Sequence, residues 1–548
     1  MSEKKPQDSN FIVQGGILAA AGIISRIIGF IYRIPLQNTI GDAGMGYYSA
    51  AFQIYSVMLI ISSYSLPVAV SKLVAARAAK GQYRNARRFF HGALLFAFLT
   101  GGATCGVVLF GADTLAGNIM RMPKSAIALR MLAPTLLIVA IMGVIRGYFQ
   151  GLGTMVPTAF SQLVEQVVNA VISVVAGIYL FEYGSKVAHL LRDQNYEPAW
   201  GAAGGTLGTG AGALAGLLVL LIMFLVHKRR MRKNIIKDNA RSVDSFGRIF
   251  SIIIITVLPV ILSTTIYNIS DTIDQGLFNY VMDMKGYSDI KAEYWGIYSG
   301  KYRVLTNVPI ALANALCSSM MPSLVACIEN GDRKLARRKV AIGTRFVMII
   351  SIPCAVGLAI LGRPLISQMF TGEVEIPAML LRMGSASVIF YSLSTLSNGV
   401  LQGIDKMRIP VRNAAIALVL HLGILYLTIG VLDMKLYGVV ISCMAFGLLM
   451  CILNWVSIAK HLRYHQEIRR TFLIPFIASL VMGGIVWLIY FICVKTSGEI
   501  VSIVISSLVG MLVYFVVILL LKGVRESEIR GLPGGNVIAA VAKLFRLL

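Results

Sequence analysis

Charge is scarce in this sequence. Only 14% of its 548 residues are Asp, Glu, Lys or Arg, while 57% are hydrophobic and the mean hydropathy is +0.76. That balance excludes a water-soluble domain of this length. Acids are the scarcer sign, 25 against 50 basic residues, and the candidate external loops at 182–200 and 271–293 are short. Both facts weigh against a membrane-embedded glycosyltransferase or ligase, which needs exposed catalytic acids on larger loops. The seven cysteines sit in apolar runs without metal or redox spacing, so they read as packing residues and no disulfide is inferred. No small-residue cleavage site follows the first apolar run, which is therefore read as a retained helix.

Long apolar runs take the place of charge. Stretches of about 20 residues or more, the length that crosses about 30 Å of hydrocarbon, begin near Phe11, Gly46, Phe89, Ala126, Met155, Trp200, Ile249, Tyr298, Ala341, Ala378, Val411, Leu436, Phe472 and Ile500. They predict an all-α, polytopic membrane protein of about fourteen transmembrane helices. Every second loop is basic, for example Arg77, Lys80, Arg84, Arg87 and Arg88, then Lys228 to Lys237, then Arg333 to Lys339. Because cytoplasmic loops carry the excess of Lys and Arg, both termini are expected in the cytoplasm. The net charge of +25 is spread over many loops, which fits topology and anionic lipid and not nucleic acid. Over 537–548 an apolar face opposes Lys543 and Arg546, the pattern of an interfacial amphipathic helix.

The chain repeats itself. Gly81-Gln82-Tyr83-Arg84-Asn85-Ala86-Arg87-Arg88 returns as Gly331-Asp332-Arg333-Lys334-Leu335-Ala336-Arg337-Arg338, and Phe149-Gln150-Gly151-Leu152 returns as Leu401-Gln402-Gly403-Ile404. The two matches have nearly the same offset, with about six helices between equivalents, which predicts parallel repeats. The expected organisation is an N-terminal lobe at 1–228, a basic linker at 229–248 and a C-terminal lobe at 249–471. An extra helix pair at 472–523 and a cytoplasmic tail at 524–548 follow. Each lobe holds about six helices.

Ionisable groups deep in a span are functional candidates by default. In the first helix Arg26, Gly29 and Arg33 share one face, and a guanidinium binds phosphate oxygens bidentately. In the fifth, Gln162, Glu165, Gln166, Asn169 and Ser173 form a polar stripe, for which interhelical hydrogen bonding is the structural alternative. Arg303 and Asn307 share a face of the eighth helix with Lys301 close by, and the seventh carries Asn268, Asp271 and Asp274, the two acids being equally well loop residues at an outer mouth. The ridge Gly204, Gly208, Gly212 and Gly216 reads as close helix packing, since no Lys-Ser/Thr follows it as a nucleotide loop requires. His461 and His465 lack a carboxylate partner, and no metal site or cofactor is expected.

Ser25-Arg26-Ile27-Ile28-Gly29-Phe30, Gly44-Met45-Gly46-Tyr47-Tyr48 and the paired Gln150-Gly151 and Gln402-Gly403 together resemble bacterial polysaccharide transporters of the MATE/MOP superfamily, of the SpoVB/YtgP branch related to MurJ-type lipid II flippases. The resemblance implies two lobes around a central cavity, alternating access, and an extra helix pair whose groove holds a lipid tail. It matches Arg26 and, with a one-residue shift, Arg33 to cavity arginines, and Arg303 approximately to a third. The acid and arginine that such proteins carry in the second helix have no counterpart between Gly46 and Leu66. The expected function is a flippase, not an enzyme, that exports an undecaprenyl-diphosphate-linked oligosaccharide, lipid II first among candidates, across the bacterial plasma membrane. It would act as a monomer, driven by membrane potential, Na+ or H+. Arg26, Arg33, Lys301, Arg303 and Asn307 are the expected substrate ligands. Gln162, Glu165, Gln166, Asn169, Asn268, Asp271 and Asp274 are the expected cavity or coupling groups. The alternative is a MATE-type cation-coupled drug antiporter, which calls for cavity carboxylates in place of arginines.

Overall fold

Long stretches of residues free of helix-breaking pairs, interrupted by short Gly-containing loops, dictate helices, and among the described residues there is no strand. The computed structural model describes residues 7–236, 238 and 245–524. The amphipathic helix read at 537–548 and the linker stretch 239–244 lie outside them. By its internal packing the chain divides into two units, Met1–Gly296 and Ile297–Leu548.

The first unit contains α1 (Gln7–Leu59), α2 (Leu66–Ala79), α3 (Tyr83–Thr114), α4 (Ser125–Gly151), α5 (Val156–Leu191), α6 (Tyr196–Ile236), α7 (Phe246–Met284) and α8 (Lys291–Gly296). Gly41, at φ 72 and ψ 179, breaks α1 with a backbone only glycine adopts easily. A π turn at Ile60–Tyr64 then joins α1 to α2. At the basic end Leu66, Val70, Val74, Phe89, Phe90, Ile145, Phe149, Leu220 and Ile253 pack into one core from α2, α3, α4, α6 and α7. The predicted glycine ridge is a packing seam. A Cβ on Gly204 would stand 2.3 Å from the Ala176 carbonyl, on Gly208 2.1 Å from Ser173 Oγ, and on Gly212 2.5 Å from the Glu165 carbonyl. So α6 lies directly on α5, as small-xxx-small ridges allow.

The second unit contains α9 (Arg303–Glu329), α10 (Arg333–Met369), α11 (Glu375–Gly384), α12 (Ala386–Gly403), α13 (Arg408–Tyr426), α14 (Lys435–Leu462), α15 (Ile474–Ser497) and α16 (Glu499–Leu520). The final pair packs on α10 through Leu361, Ile474, Ala478, Met482, Val486, Tyr514 and Ile518. Its polar ties are Tyr514 donating to the Ile349 carbonyl at 2.8 Å and Ser367 donating to Glu499 at 3.0 Å.

The repeated motifs adopt matching turns. Gly81 and Gly331 have φ of 69 and 75, and in each turn the next residue's N–H, at Gln82 or Asp332, returns to the Arg77 or Cys327 carbonyl at 2.9 Å. After α4 and α12 the same holds. Thr154 N–H bonds the Phe149 carbonyl at 3.1 Å, and Lys406 N–H bonds the Leu401 carbonyl at 2.9 Å. The left-handed position falls on Gly153 in the first and on Asp405 in the second. Packing follows suit, for Gly151 rests on Ser71 and Val74 while Gly403 rests on Met321 and Leu324.

Among the described residues eleven helices are long and apolar enough to cross a membrane, twelve if the bent pair Glu375–Gly384 and Ala386–Gly403 forms one span. This is a multi-pass membrane protein.

Candidate functional site

In the first unit the site grows from the first helix. Ala21, Ser25, Tyr32 and Leu36 form its buried stripe, and Arg26 and Arg33 each follow a buried stripe residue by one position, so both flank the packed edge. Arg26 is exposed, and none of the described residues pairs with it. Arg33 is half-buried and lies beside Tyr48 and Tyr32. Between the arginines, Gly29 gives room for α5, and a Cβ there would meet Gln166 Oε1 at 3.9 Å.

The polar stripe of α5 therefore runs along the arginine-bearing helix. Asn169 donates to the Tyr32 hydroxyl at 3.5 Å. Ser173 donates to Asn169 Oδ1 and to the Gly205 carbonyl, both at 2.9 Å, so the far end of the stripe is spent on interhelical bonding. Gln162, Glu165 and Gln166 remain half-buried. Glu165 has a partner that sequence reasoning passed over: Arg146 of α4, whose Nη2 lies 2.7 Å from Glu165 Oε2 and whose Nε donates to Ser161 Oγ at 3.1 Å. The available signal was a single arginine inside the apolar run that ends α4.

Of the seventh-helix residues, Asn268 turns its amide onto the Thr264 carbonyl of its own helix at 2.8 Å. Asp271 is half-buried and Asp274 buried. The neighbouring Gln275, fully buried, accepts from Ser49 Oγ at 3.3 Å, and Trp295 Nε1 donates to that same Ser49 oxygen at 3.1 Å. Two glycines make this crossing possible. A Cβ on Gly46 would lie 1.9 Å from the Ala292 carbonyl oxygen, and one on Gly296 1.7 Å from that of Asp42.

In the second unit a π segment, Ile297–Tyr302, leads into α9. Tyr298 and Tyr302 stack at 5.6 Å, and the Arg303 guanidinium lies 5.9 Å from the Tyr298 ring centre, within cation–π range. The half-buried Arg303 is thereby oriented by an aromatic pair, legible as tyrosines four residues apart. Asn307, one turn on, is exposed. Lys301 has different work. It is fully buried and its Nζ donates to the carbonyls of Thr371 at 2.9 Å and Glu373 at 2.8 Å, holding the turn before α11.

Each unit thus offers a partly exposed guanidinium on a helix long and apolar enough to cross a membrane, a group suited to phosphate oxygens. The chain matches the family described as polysaccharide biosynthesis protein over residues 13–327, and that described as MatE over residues 304–427. It is similar to the lipid II flippase MurJ of Bacillus subtilis (strain 168), 26% identical over 542 residues, covering 94% of this chain and 96% of the relative. Stage V sporulation protein B of the same organism is 23% identical over 522 residues, with 94% and 96% covered. A solved structure described as lipid II flippase MurJ in an inward closed conformation matches with a TM-score of 0.66 at 16% identity, over 91% of this chain and 97% of that one. The fold is therefore of the MurJ and MATE type.

Proposed function

The chain belongs to the polysaccharide biosynthesis protein family, and from that premise we propose that it is a flippase carrying an undecaprenyl-diphosphate-linked precursor from the cytoplasmic to the outer leaflet. Lipid II is the first candidate cargo. The observation that carries the reading is Arg26: an exposed guanidinium inside a membrane span, with no partner among the described residues. An ionised group is costly there unless an aqueous cavity or an anionic ligand receives it. Arg26 and Arg33 are the diphosphate ligands of the first unit, and Arg303, with Asn307 beside it, is that of the second, while the lipid tail stays in the bilayer. Lys301 supports the second set by fixing the turn before α11. A head group with about two negative charges gains on the order of 4 to 5 kcal/mol from an inside-negative potential of about 100 mV, so the potential suffices as a driving force. Asp271 and Asp274 are further candidates for coupling to an ion.

The architecture in this proposal has fourteen spans. The 66-residue stretch Gln14–Ala79 is long enough for two crossings and is broken at Gly41. Taking it as two, the bent pair as one, and α7 as another gives that number. The matching turns and glycine contacts at Gly81 and Gly331, and at Gly151 and Gly403, support two parallel lobes followed by the α15–α16 pair. Basic loops on alternate sides support cytoplasmic termini and contact with anionic lipid. The protein acts as a monomer, without cofactor and without enzymatic chemistry. The antiporter alternative calls for cavity carboxylates in place of arginines, whereas Glu165 of the stripe is ion-paired with Arg146 and the exposed charge is that of Arg26.

The test is depletion of the protein in a host without redundant flippases, with lipid-linked precursor exposure read by an impermeant external probe. Wild type is expected to restore exposure, while Arg26→Ala and Arg303→Ala, present in the membrane at wild-type level, do not. Precursor exposure unchanged by depletion would overturn the reading.

A further inference from the structure

The Arg146–Glu165 pair has no evident structural necessity. The offset that carries Gly151 to Gly403 also carries Arg146 to Asn398 and Ser161 to Asn413. In the second unit Asn398 and Asn413 belong to a buried network of amides and hydroxyls, and Arg412 Nη2 also donates to Asn413 Oδ1 at 3.5 Å. Asn413 donates to Asn454 Oδ1 at 2.9 Å, and Asn454 donates to Asn398 Oδ1 at 2.7 Å and to Ser397 Oγ at 3.0 Å, all of them buried. Asn398 thus carries no charge where its counterpart is Arg146, and an ion pair is in any case weak evidence of stabilisation. Unlike the amide set, the pair in the first unit is accessible: its side chains retain 16% and 20% of their exposure.

Its position is also informative. Glu165 is followed directly by Gln166, the residue that approaches Gly29 between Arg26 and Arg33, so the pair lies within about one helical turn of the arginine face. The carboxylate takes only one of the guanidinium's edges, through Nη2, and the Ser161 hydroxyl takes Nε. A guanidinium has five donors.

We propose, resting on the flippase reading above, that Arg146 is a further ligand for the diphosphate and that Glu165 is its resident competitor. In the empty protein the carboxylate neutralises Arg146, and an arriving diphosphate, with more charge and bidentate geometry, displaces it. The exchange makes Glu165 a specificity residue. Monoanionic head groups gain nothing by displacing a carboxylate of equal charge, whereas a diphosphate does. Release is made easy by Glu165, which keeps the affinity from becoming too high for turnover.

The experiment is binding of undecaprenyl diphosphate to the purified full chain in nanodiscs. Removing the competitor, Glu165→Gln, is expected to tighten binding about five-fold, the equivalent of a partly exposed ion pair. Arg146→Gln weakens it, and adding Glu165→Gln to Arg146→Gln brings no gain, because there is then no cation to release. Glu165→Asp, which keeps the charge but withdraws the carboxylate, gives a smaller gain and serves if the Gln variant does not fold. Binding by Glu165→Gln and Glu165→Asp equal to or weaker than wild type, with Arg26→Ala still defective, would overturn the competitor role and leave the parent reading standing. Wild-type protein that does not bind the probe, or Arg26→Ala that binds it normally, would instead overturn the parent reading and this inference with it.

Discussion

Replacing Gly46 by alanine adds one methyl group at the tightest crossing in the first unit. The new Cβ would lie 1.9 Å from the Ala292 carbonyl oxygen, where real Cβ contacts essentially never fall below 3.0 Å, and would also meet the carbonyl carbon at 2.7 Å. The obstacle is backbone, so no side-chain rotation relieves it. The part of α1 beyond Gly41 and α8 must separate by about 1 Å or more, and overpacking of this kind costs about 1–3 kcal/mol. The same separation strains the Ser49–Trp295 and Ser49–Gln275 hydrogen bonds, less than one turn further along the helix. Thermal unfolding in detergent is the assay, with Gly106→Ala as control, since a Cβ at Gly106 meets nothing within 4 Å. Alanine at the open helical site is expected to be neutral or to stabilise by up to about 1 kcal/mol. A Gly46→Ala protein with the melting temperature of wild type and of the control would refute the argument from close approach.

Lys301→Met should lower stability by about 1–3 kcal/mol, because the Thr371 and Glu373 carbonyls lose the charged donor that anchors their turn; a melting temperature equal to wild type counts against the anchoring role. Asp405→Gly should stabilise by about 1 kcal/mol, since a residue at φ 60 is relieved where the repeat partner is Gly153, at φ 80; denaturation that comes earlier in the variant rejects the equivalence. Lys124 bonds Asp193 in the loop between α5 and α6 and holds its carboxyl below the usual value. A depressed carboxylate stabilises above its unfolded pKa and loses that contribution as pH falls through the folded one. Proteolysis at residues 192–196 should therefore accelerate below the ordinary carboxylate range, and Lys124→Met should bring the acceleration to higher pH.

Helix positions were open to reading from the chain because bilayer thickness imposes one length on every span. Apolar runs beginning near Phe89, Ala126 and Leu436 became α3, α4 and α14, starting at Tyr83, Ser125 and Lys435. The glycine ridge from Gly204 to Gly216 was legible for a similar reason, since a four-residue period of missing side chains can only be a contact line. Lys301 was not: its spacing places it beside Arg303, but its employment depends on carbonyls about seventy residues away. Nor was the pairing of Glu165, because a deep carboxylate announces only that it needs a partner, and Arg146 stands on another helix.

Composition and apolar run length by themselves determined a polytopic helical membrane protein. Hydrophobic transfer and charge exclusion act on each segment locally, so their consequences can be read segment by segment. Which polar groups are engaged was decided only in three dimensions. Among lipid-immersed helices a polar side chain takes the partner that a neighbouring helix happens to present, as Asn454 takes Asn398 and Ser397. Sequence spacing therefore cannot separate an arginine left exposed, such as Arg26, from one already matched, such as Arg146.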